Sequence, residues 1–168
     1  MALPHANASR LSERPPREKV RKGKETKQRM LKVLPIQSKT EQELDCARCG
    51  IVYRPDALAY RATVDDVFVG MCQFKLTEHG GEVYDIAELA DKKDFEALFV
   101  MGRAALNFID LCGVHYAKYV SDTVDESLAR AIGFTKNANG VFDIDLTDFF
   151  THPCQHHKET NPYDTPKA

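Results

Sequence analysis

The sequence predicts a single α/β domain, in which strands and helices alternate over residues 30–148. Short runs of alternating apolar residues, typical of strands, recur through this region. One longer apolar pattern, from Phe95 to Cys112, has the spacing of a helix. The 168-residue chain is long enough to bury a core without disulfide bonds, and its five cysteines are an odd number. We therefore expect one domain of ordinary size with free thiols.

The charge is unevenly distributed along the chain. Residues 1–29 contain nine Lys/Arg and three Asp/Glu, whereas the whole chain has a net charge of −2. This basic arm contains Pro15-Pro16 and almost no apolar periodicity, so we expect it to be disordered. It lacks the interleaved aromatic residues that would favour nucleic acid as a partner. The prolines beyond Asp148 predict a polar tail at residues 149–168.

The composition predicts neither a membrane span nor an export signal. No apolar run approaches the roughly 20 residues needed to cross a bilayer. The basic arm has no apolar segment typical of a secretory signal, and its acidic residues do not fit a transit peptide. The expected location is therefore the cytoplasm.

The first unit of the domain is predicted to be a strand followed by a helix. Leu31–Ile36 alternates apolar with other residues, which indicates a strand. Pro35 has no N–H to donate to a ladder, so the strand is expected at an edge of the sheet. Thr40 and Glu43 have the spacing of a capping box, which would open a short helix. Gly50 is the expected end of that helix.

Three strands in succession are predicted next, as an antiparallel meander. Leu58–Val64 and Val67–Thr77 are strand-like runs, and Asp65-Asp66 between them is predicted to form a tight turn. A second turn at 79–81 leads into a third run, Glu82–Leu89.

The longest helix follows the meander, and with the strand after it forms the first of two αβ units. Its apolar positions recur at helical spacing, Asp94 is the expected cap and Gly113 the expected stop. These positions are Phe95, Leu98, Gly102, Leu106, Ile109 and Cys112. Val114–Val120 is then a short strand candidate. Asp122 or Asp125 opens a helix that closes at Gly133, and Val141–Leu146 is the last strand, after a turn at 137–140.

Two segments resemble a known family. Leu58–Leu76 (LAYRATVDDVFVGMCQFKL) is similar to the hairpin of the GNAT superfamily of N-acyltransferases, and Leu128–Phe134 (LARAIGF) to that family's terminal L-Y-E-K-L-G-F segment. Over roughly 31–146 the chain resembles a small, divergent, bacterial-type member. The resemblance implies a central, mixed, mostly antiparallel sheet flanked by helices. It also implies transfer of an acetyl or other acyl group from acetyl-CoA or a related thioester to a primary amine.

The family's CoA-binding pattern is altered here. The phosphate-loop pattern Q/R-x-x-G-x-G/A falls on residues 93–98, where Lys93 keeps the basic position and Glu96 and Leu98 replace both glycines. By resemblance, the backbone of Ile86, Ala87 and Glu88 would bond the pantetheine arm of CoA, and Lys92 and Lys93 would meet its phosphates. Acidic residues in a first helical turn also have a purely structural role, because they complement the helix dipole.

The catalytic candidates follow from the same resemblance. Ala129 stands where many relatives place a tyrosine that protonates the leaving thiolate, so Tyr116 and Tyr119 on the preceding strand are the alternative donors. Glu88 is the candidate base, chosen from three carboxylates available on the third meander strand, namely Glu82, Asp85 and Glu88.

Strict alternation along that strand would place Glu82 and Glu88 on one face, with Tyr84 and Ile86. Val83, Asp85 and Ala87 would then take the opposite face. Burial in a cleft is what would bring a carboxylate pKa close to the working pH.

The sequence leaves two alternative interpretations open. The losses at 96, 98 and 129 also suit a GNAT-fold protein that has lost catalysis and serves as a binding or regulatory module. Cys46-x-x-Cys49 has zinc-like spacing, with His152, Cys154, His156 and His157 as completing ligands, but a helical pair of core cysteines is the favoured explanation and no metal is predicted. The acceptor is expected to be a small-molecule or peptide amine, and a homodimer is left open.

Overall fold

The computed structural model of the chain describes residues 28–121 and 123–151. Most of the predicted arm and tail, and Asp122, lie outside these residues, as do the tail histidines. The described elements are β1 (Leu31–Pro35), α1 (Lys39–Cys49), β2 (Leu58–Val64), β3 (Val67–Thr77), β4 (Gly80–Glu88), α2 (Phe95–Leu111), β5 (Tyr116–Tyr119), α3 (Glu126–Ile132), β6 (Thr135–Lys136) and β7 (Phe142–Asp145). None of the described helices combines the length and apolar character needed to span a bilayer.

The strands form one mixed sheet. In the described chain it has seven strands in the order β1-β2-β3-β4-β5-β7-β6. Every neighbouring pair is antiparallel except β4 and β5, which are parallel. This confirms the predicted sheet, and the two-residue strand β6 is an addition that no local pattern had indicated.

The helix ends mostly follow their predicted signals. Gly50 takes a left-handed conformation (φ 69°) and ends α1, while Asp94 caps α2 by accepting the N–H of Ala97 at 3.0 Å. Of the two candidates for α3, Asp125 is the cap. The predicted cap of α1 was wrong, because the helix begins one residue before Thr40 and the Ser38 side chain accepts the N–H of Glu41.

The hairpin between β2 and β3 has the predicted ends and turn. Asp65 and Asp66 both have positive φ, 50° and 65°, as a two-residue turn of this twist requires. β4 begins at Gly80, two residues earlier than expected. In the sequence Gly80 and Gly81 resemble a turn, but in the structure Gly81 is a strand residue that α2 crosses closely. A Cβ on Gly81 would lie 2.7 Å from the Ile109 side chain, so packing and not a turn requires glycine there.

The helices lie on both faces of the sheet. Beneath α1 is a small cluster of Cys46, Ala59, Phe68 and Met71. The larger core lies on the other face, where α2 packs chiefly on β2, β3 and β4 and α3 packs against α2. Phe149 and Phe150, beyond the predicted domain boundary, pack against this core, and Arg103 lies over both rings.

A β-bulge at Tyr84 changes the faces of β4. Gln73 pairs with Asp85, but the next residue of β3, Phe74, pairs with Val83, so Tyr84 has no partner in the register. Val83 and Ile86 are therefore both buried against α2, although strict alternation had placed them on opposite faces. That expectation was wrong, because one inserted residue reverses every later side chain relative to the earlier ones.

Candidate functional site

The strands β4 and β5 separate toward their C-terminal ends. In the described chain their ladder covers only Gly81–Val83 of β4, and a last bond runs from the N–H of Val120 to the carbonyl of Val83 at 2.8 Å. Further along, Leu89 donates its N–H to β3. Because successive peptide groups of a strand point to opposite sides, those of Ile86 and Glu88 face away from β3. We call this opening beside Ile86–Glu88 the strand gap.

Tyr119 lies at the base of the strand gap. Its ring is buried and packs beside Phe134, with ring centres 5.6 Å apart. Burial raises the pKa of the Tyr119 phenol well above its ordinary value, while the N–H of Ile86, acting on the hydroxyl, opposes that shift. The hydroxyl therefore keeps its proton at neutral pH and lies next to the β4 backbone.

Tyr116, the other candidate tyrosine, lies elsewhere. Its ring is next to Gly80, the first residue of β4, at the opposite end of the strand from Glu88. Its hydroxyl donates to Asp143 at 3.3 Å, and 41% of the residue is exposed. The structure does not bring Tyr116 and Tyr119 together, and only Tyr119 borders the strand gap.

Carboxylates occupy the N-terminus of α2. Glu88 accepts the backbone N–H of Asp94 at 2.7 Å, and Asp94 in turn accepts the N–H of Ala97. Arg29 forms ion pairs with Asp94 and Glu96. We call Glu88, Asp94 and Glu96 the carboxylate cluster. It satisfies amides that a bound phosphate would otherwise contact at such a helix end.

The two candidate lysines lie in the turn between β4 and α2. Lys93 is 2.9 Å from Glu88, measured from Nζ to Oε1, and 79% of its side chain is exposed. Lys92 donates its backbone N–H to the carbonyl of Leu89. Both are close to the strand gap, and Lys93 already neutralises part of the carboxylate cluster.

A polar pocket opens beside the strand gap, on the α1 face of the sheet. Its volume is about 210 Å³. We call it the polar pocket, and it is lined by Gly50, Ile51, Val52, Arg54, Asp85, Ser121 and Thr123. The loop after α1, the middle of β4 and the segment after β5 therefore meet at this pocket. The bulge in β4 places Asp85 on the pocket side of the strand.

Two buried glutamines hold the loop after α1 in position. Gln73 donates to the carbonyl of Val52 at 2.8 Å and accepts the N–H of Arg54 at 3.0 Å. Gln42, on α1, donates to the Gln73 side chain and to the Arg54 carbonyl. Gln73 also donates to Asp85 at 3.2 Å. One side chain thus fixes both the loop and the carboxylate that line the polar pocket.

Arg54 and Tyr84 form the wall next to Asp85. The guanidinium of Arg54 lies over the Tyr84 ring at 4.4 Å, and its Nε is 3.9 Å from Oδ2 of Asp85. Burial raises the pKa of Tyr84 to about 12, and its hydrogen bond to Glu82 acts in the same direction. Tyr84 therefore acts as a neutral platform for the arginine.

Sequence reasoning identified Asp85 only as one of three available carboxylates and did not identify Arg54 or Gln73. Gln73 carried a signal, because a glutamine inside the apolar run of β3 must find buried partners. Arg54 carried none, since a charged residue in a Pro-containing loop is ordinary on a surface. The predicted base, Glu88, lies outside the polar pocket and is paired with Lys93.

The cysteines of the CxxC segment lie inside the fold. Cys46 is buried under α1, and the Cys49 thiol is 3.8 Å from the carbonyl oxygen of Ala87. Burial raises the pKa of both thiols to about 11. Residues 28–121 and 123–151 contain no group of three potential metal ligands, and the tail residues weighed as completing ligands lie outside them.

The comparisons with known proteins identify the fold. No protein-family model and no curated protein sequence matches the chain. Among solved structures, a Desulfovibrio desulfuricans protein assigned to the GNAT acetyltransferase family aligns with a TM-score of 0.53 at 12% identity, over 70% of this chain and 99% of that one.

Two other solved structures give the same picture. The ribosomal-protein-S18-alanine N-acetyltransferase of Escherichia coli aligns with a TM-score of 0.51 at 11% identity, over 68% of this chain and 89% of that one. The PaiA N-acetyltransferase of Thermoplasma acidophilum, solved with coenzyme A, aligns with a TM-score of 0.51 at 12% identity, over 69% and 99%. This chain has the fold of the GNAT-family N-acetyltransferases.

Proposed function

We propose that the chain is an N-acyltransferase that moves an acyl group from an acyl-CoA thioester to a primary amine. The observation that carries this proposal is the strand gap opening directly beside the polar pocket. An acyl-pantetheine arm in the gap would extend along the backbone of Ile86 and Glu88 and present its thioester to an amine in the pocket. Holding two reactants in this way is itself a large part of catalysis.

The side chains supply the two proton steps of such a reaction. Asp85 lines the polar pocket and is suited to accept the proton that the amine must lose. Tyr119 stays protonated and borders the gap, so it is suited to donate a proton to the thiolate that leaves. In this proposal Asp85 takes the base role first expected of Glu88, and Tyr119 keeps the donor role expected of it.

An acyl-CoA donor fits the strand gap better than it fits the N-terminus of α2. The strand gap offers the backbone groups of Ile86 and Glu88 to a pantetheine arm, and the Thermoplasma enzyme of this fold was solved with coenzyme A. The N-terminus of α2 fits a pyrophosphate only after the Glu88 carboxylate leaves the Asp94 amide. Lys92 and Lys93 are then the cations available to the phosphates. We therefore propose acetyl-CoA or a related thioester as donor, bound weakly.

A second function is favoured by the carboxylate cluster. Glu88 and Asp94 already satisfy helix amides, and Arg29 completes their charge pairing. A GNAT-fold protein that no longer binds CoA and acts as a binding or regulatory module would have this arrangement. The two proposals differ in one measurable respect, the affinity for the thioester donor.

Calorimetric titration of the full-length protein with acetyl-CoA, followed by assay of CoA release with a panel of amines, tests the proposal. We expect saturable binding, and thiol release that Asp85→Asn lowers by about a hundredfold or more. Asp110→Asn, on α2 and paired with His115, is the matched control and should retain activity. Absence of acetyl-CoA binding at millimolar concentration would leave only the module.

A further inference from the structure

The polar pocket contains an arginine atom whose hydrogen-bonding capacity is unmet. Nε of Arg54 is buried and has no hydrogen-bond partner within residues 28–121 and 123–151. Oδ2 of Asp85 is 3.9 Å from it, which is beyond hydrogen-bonding distance. A buried donor without a partner is costly, so its retention in a pocket wall needs an explanation.

Arg54 is also held in place from several directions. Its backbone N–H and carbonyl are bonded to Gln73 and Gln42, and its guanidinium lies over the Tyr84 ring. Its side chain is 39% exposed, and the residue lines the polar pocket. The guanidinium is therefore positioned before any ligand arrives, which lowers the entropy cost of binding one.

We infer that the polar pocket binds an acceptor that carries a carboxylate beside its amine, namely a free amino acid. The inference rests on the proposed function and names its acceptor class. Arginine presents several N–H donors in a planar fork that matches a carboxylate. Asp85, on the same wall, supplies the opposite charge for an ammonium group. A pair of opposite charges about 4 Å apart is the arrangement that a zwitterion complements.

The size of the pocket agrees with this acceptor class. At about 210 Å³ it is smaller than the roughly 300–1,000 Å³ typical of sites for drug-sized ligands. Ser121 and Thr123, from the segment after β5, add hydroxyl-bearing residues to the pocket lining. A peptide N-terminus would bring an amide, not a carboxylate, next to Arg54 and so would not supply the negative charge that a guanidinium fork is suited to bind.

The chemical step balances with these groups. The ammonium of the amino acid gives one proton to Asp85, which releases it to solvent, and the free amine attacks the thioester carbonyl. As the C–N bond forms, the attacking nitrogen gives its second proton to the Asp85 carboxylate, which again releases it to solvent. The C–S bond breaks, and the thiolate takes a proton from Tyr119, which recovers one from solvent. The product, an N-acyl amino acid, keeps its carboxylate but no longer carries the positive charge that Asp85 attracts.

Binding measurements on the full-length protein, without CoA, test the inference. The common L-amino acids are titrated one at a time, and the tightest is compared with its own amide. We expect the amide to bind at least about tenfold more weakly, the factor that one charge-assisted hydrogen bond supplies. In Arg54→Gln this difference should fall below about threefold, whereas Arg130→Gln, a matched change on α3, should keep it.

The ratio of acid to amide is measured within each protein, so partial loss of folded protein in a variant does not imitate the result. Equal binding of acid and amide by the natural chain, an unchanged ratio in Arg54→Gln, or no binding of any amino acid overturns the inference. Acetyl transfer to amines with no preference for a carboxylate overturns it while supporting the acyltransferase. Arginine-dependent amino-acid binding without any acetyl-CoA binding supports it and removes the proposed function.

Discussion

Glu88 places a carboxylate where the phosphates of a CoA-type donor would lie. Its side chain is largely buried and accepts the Asp94 amide. Two like charges about 4 Å apart repel by about 4 kcal/mol at an effective dielectric near 20. We expect Glu88→Gln to bind acetyl-CoA several-fold more tightly, since glutamine keeps an acceptor for the Asp94 amide and removes the charge.

Calorimetry on Glu88→Gln and on Glu43→Gln measures this effect. Glu43 is an exposed residue of α1, so its substitution makes the same change in net charge away from the site. An affinity that is unchanged in both variants would show that the Glu88 carboxylate does not oppose the donor.

The cysteines provide a second prediction at the level of single residues. Burial raises the pKa of Cys46 and Cys49 to about 11 and that of Cys72 to about 12, whereas Cys112 is exposed. Thiolates are the reactive species, so at pH 8 the buried thiols react slowly. Among the four cysteines of residues 28–121 and 123–151, we expect iodoacetamide to modify Cys112 first and the other three only on unfolding, as followed by mass spectrometry of peptides. Rapid labelling of Cys46 in the folded protein would contradict the packing under α1.

At the scale of elements, Gln73 connects β3 to the loop after α1 and to Asp85. Gln73→Leu has a similar volume but leaves the Val52 carbonyl and the Arg54 N–H without their partner. Each unsatisfied buried group costs about 1–3 kcal/mol, so we expect the free energy of unfolding to fall by about 2–5 kcal/mol. Urea denaturation measures this fall. Gln37→Leu, an exposed glutamine before α1, is the control and should change stability by less than about 0.5 kcal/mol.

The elements also show what the sequence can predict. Strand runs, the Asp65-Asp66 turn and the caps at Asp94 and Gly50 are local signals, and each was confirmed. The bulge at Tyr84 depends on how β3 and β4 pair, which no local pattern specifies. Because of the bulge, Ile86 and Asp85 lie on the opposite faces of the sheet, relative to Val83, from those that strict alternation predicts. The polar pocket was beyond prediction for the same reason, because its loop meets β4 only through distant contacts.

Over the whole molecule, the two halves of the proposed site are stabilised differently. The polar pocket is held by a buried glutamine network, and the α2 end by ion pairs whose cations, Arg29 from the stretch before β1 and Lys93, are exposed. Surface ion pairs contribute little, and salt screens them. The carboxylate cluster is thus the part of the site that a ligand can rearrange at least cost, whereas Arg54 and Asp85 are preset.

A ligand that enters the strand gap would contact β4 on one side and the α2 end on the other, and so would stabilise the whole domain. At about 100 times its dissociation constant, acetyl-CoA should add about 2.7 kcal/mol to the free energy of unfolding. For a domain of this size that raises Tm by roughly 10 °C. Differential scanning fluorimetry measures the shift, which should be at least as large in Glu88→Gln at the same concentration. Asp85→Asn should show the same shift as the natural chain, because Asp85 is assigned to the acceptor and not to the donor. If millimolar acetyl-CoA moves Tm in none of these proteins, the carboxylate cluster has closed the donor site and the fold serves as a binding module.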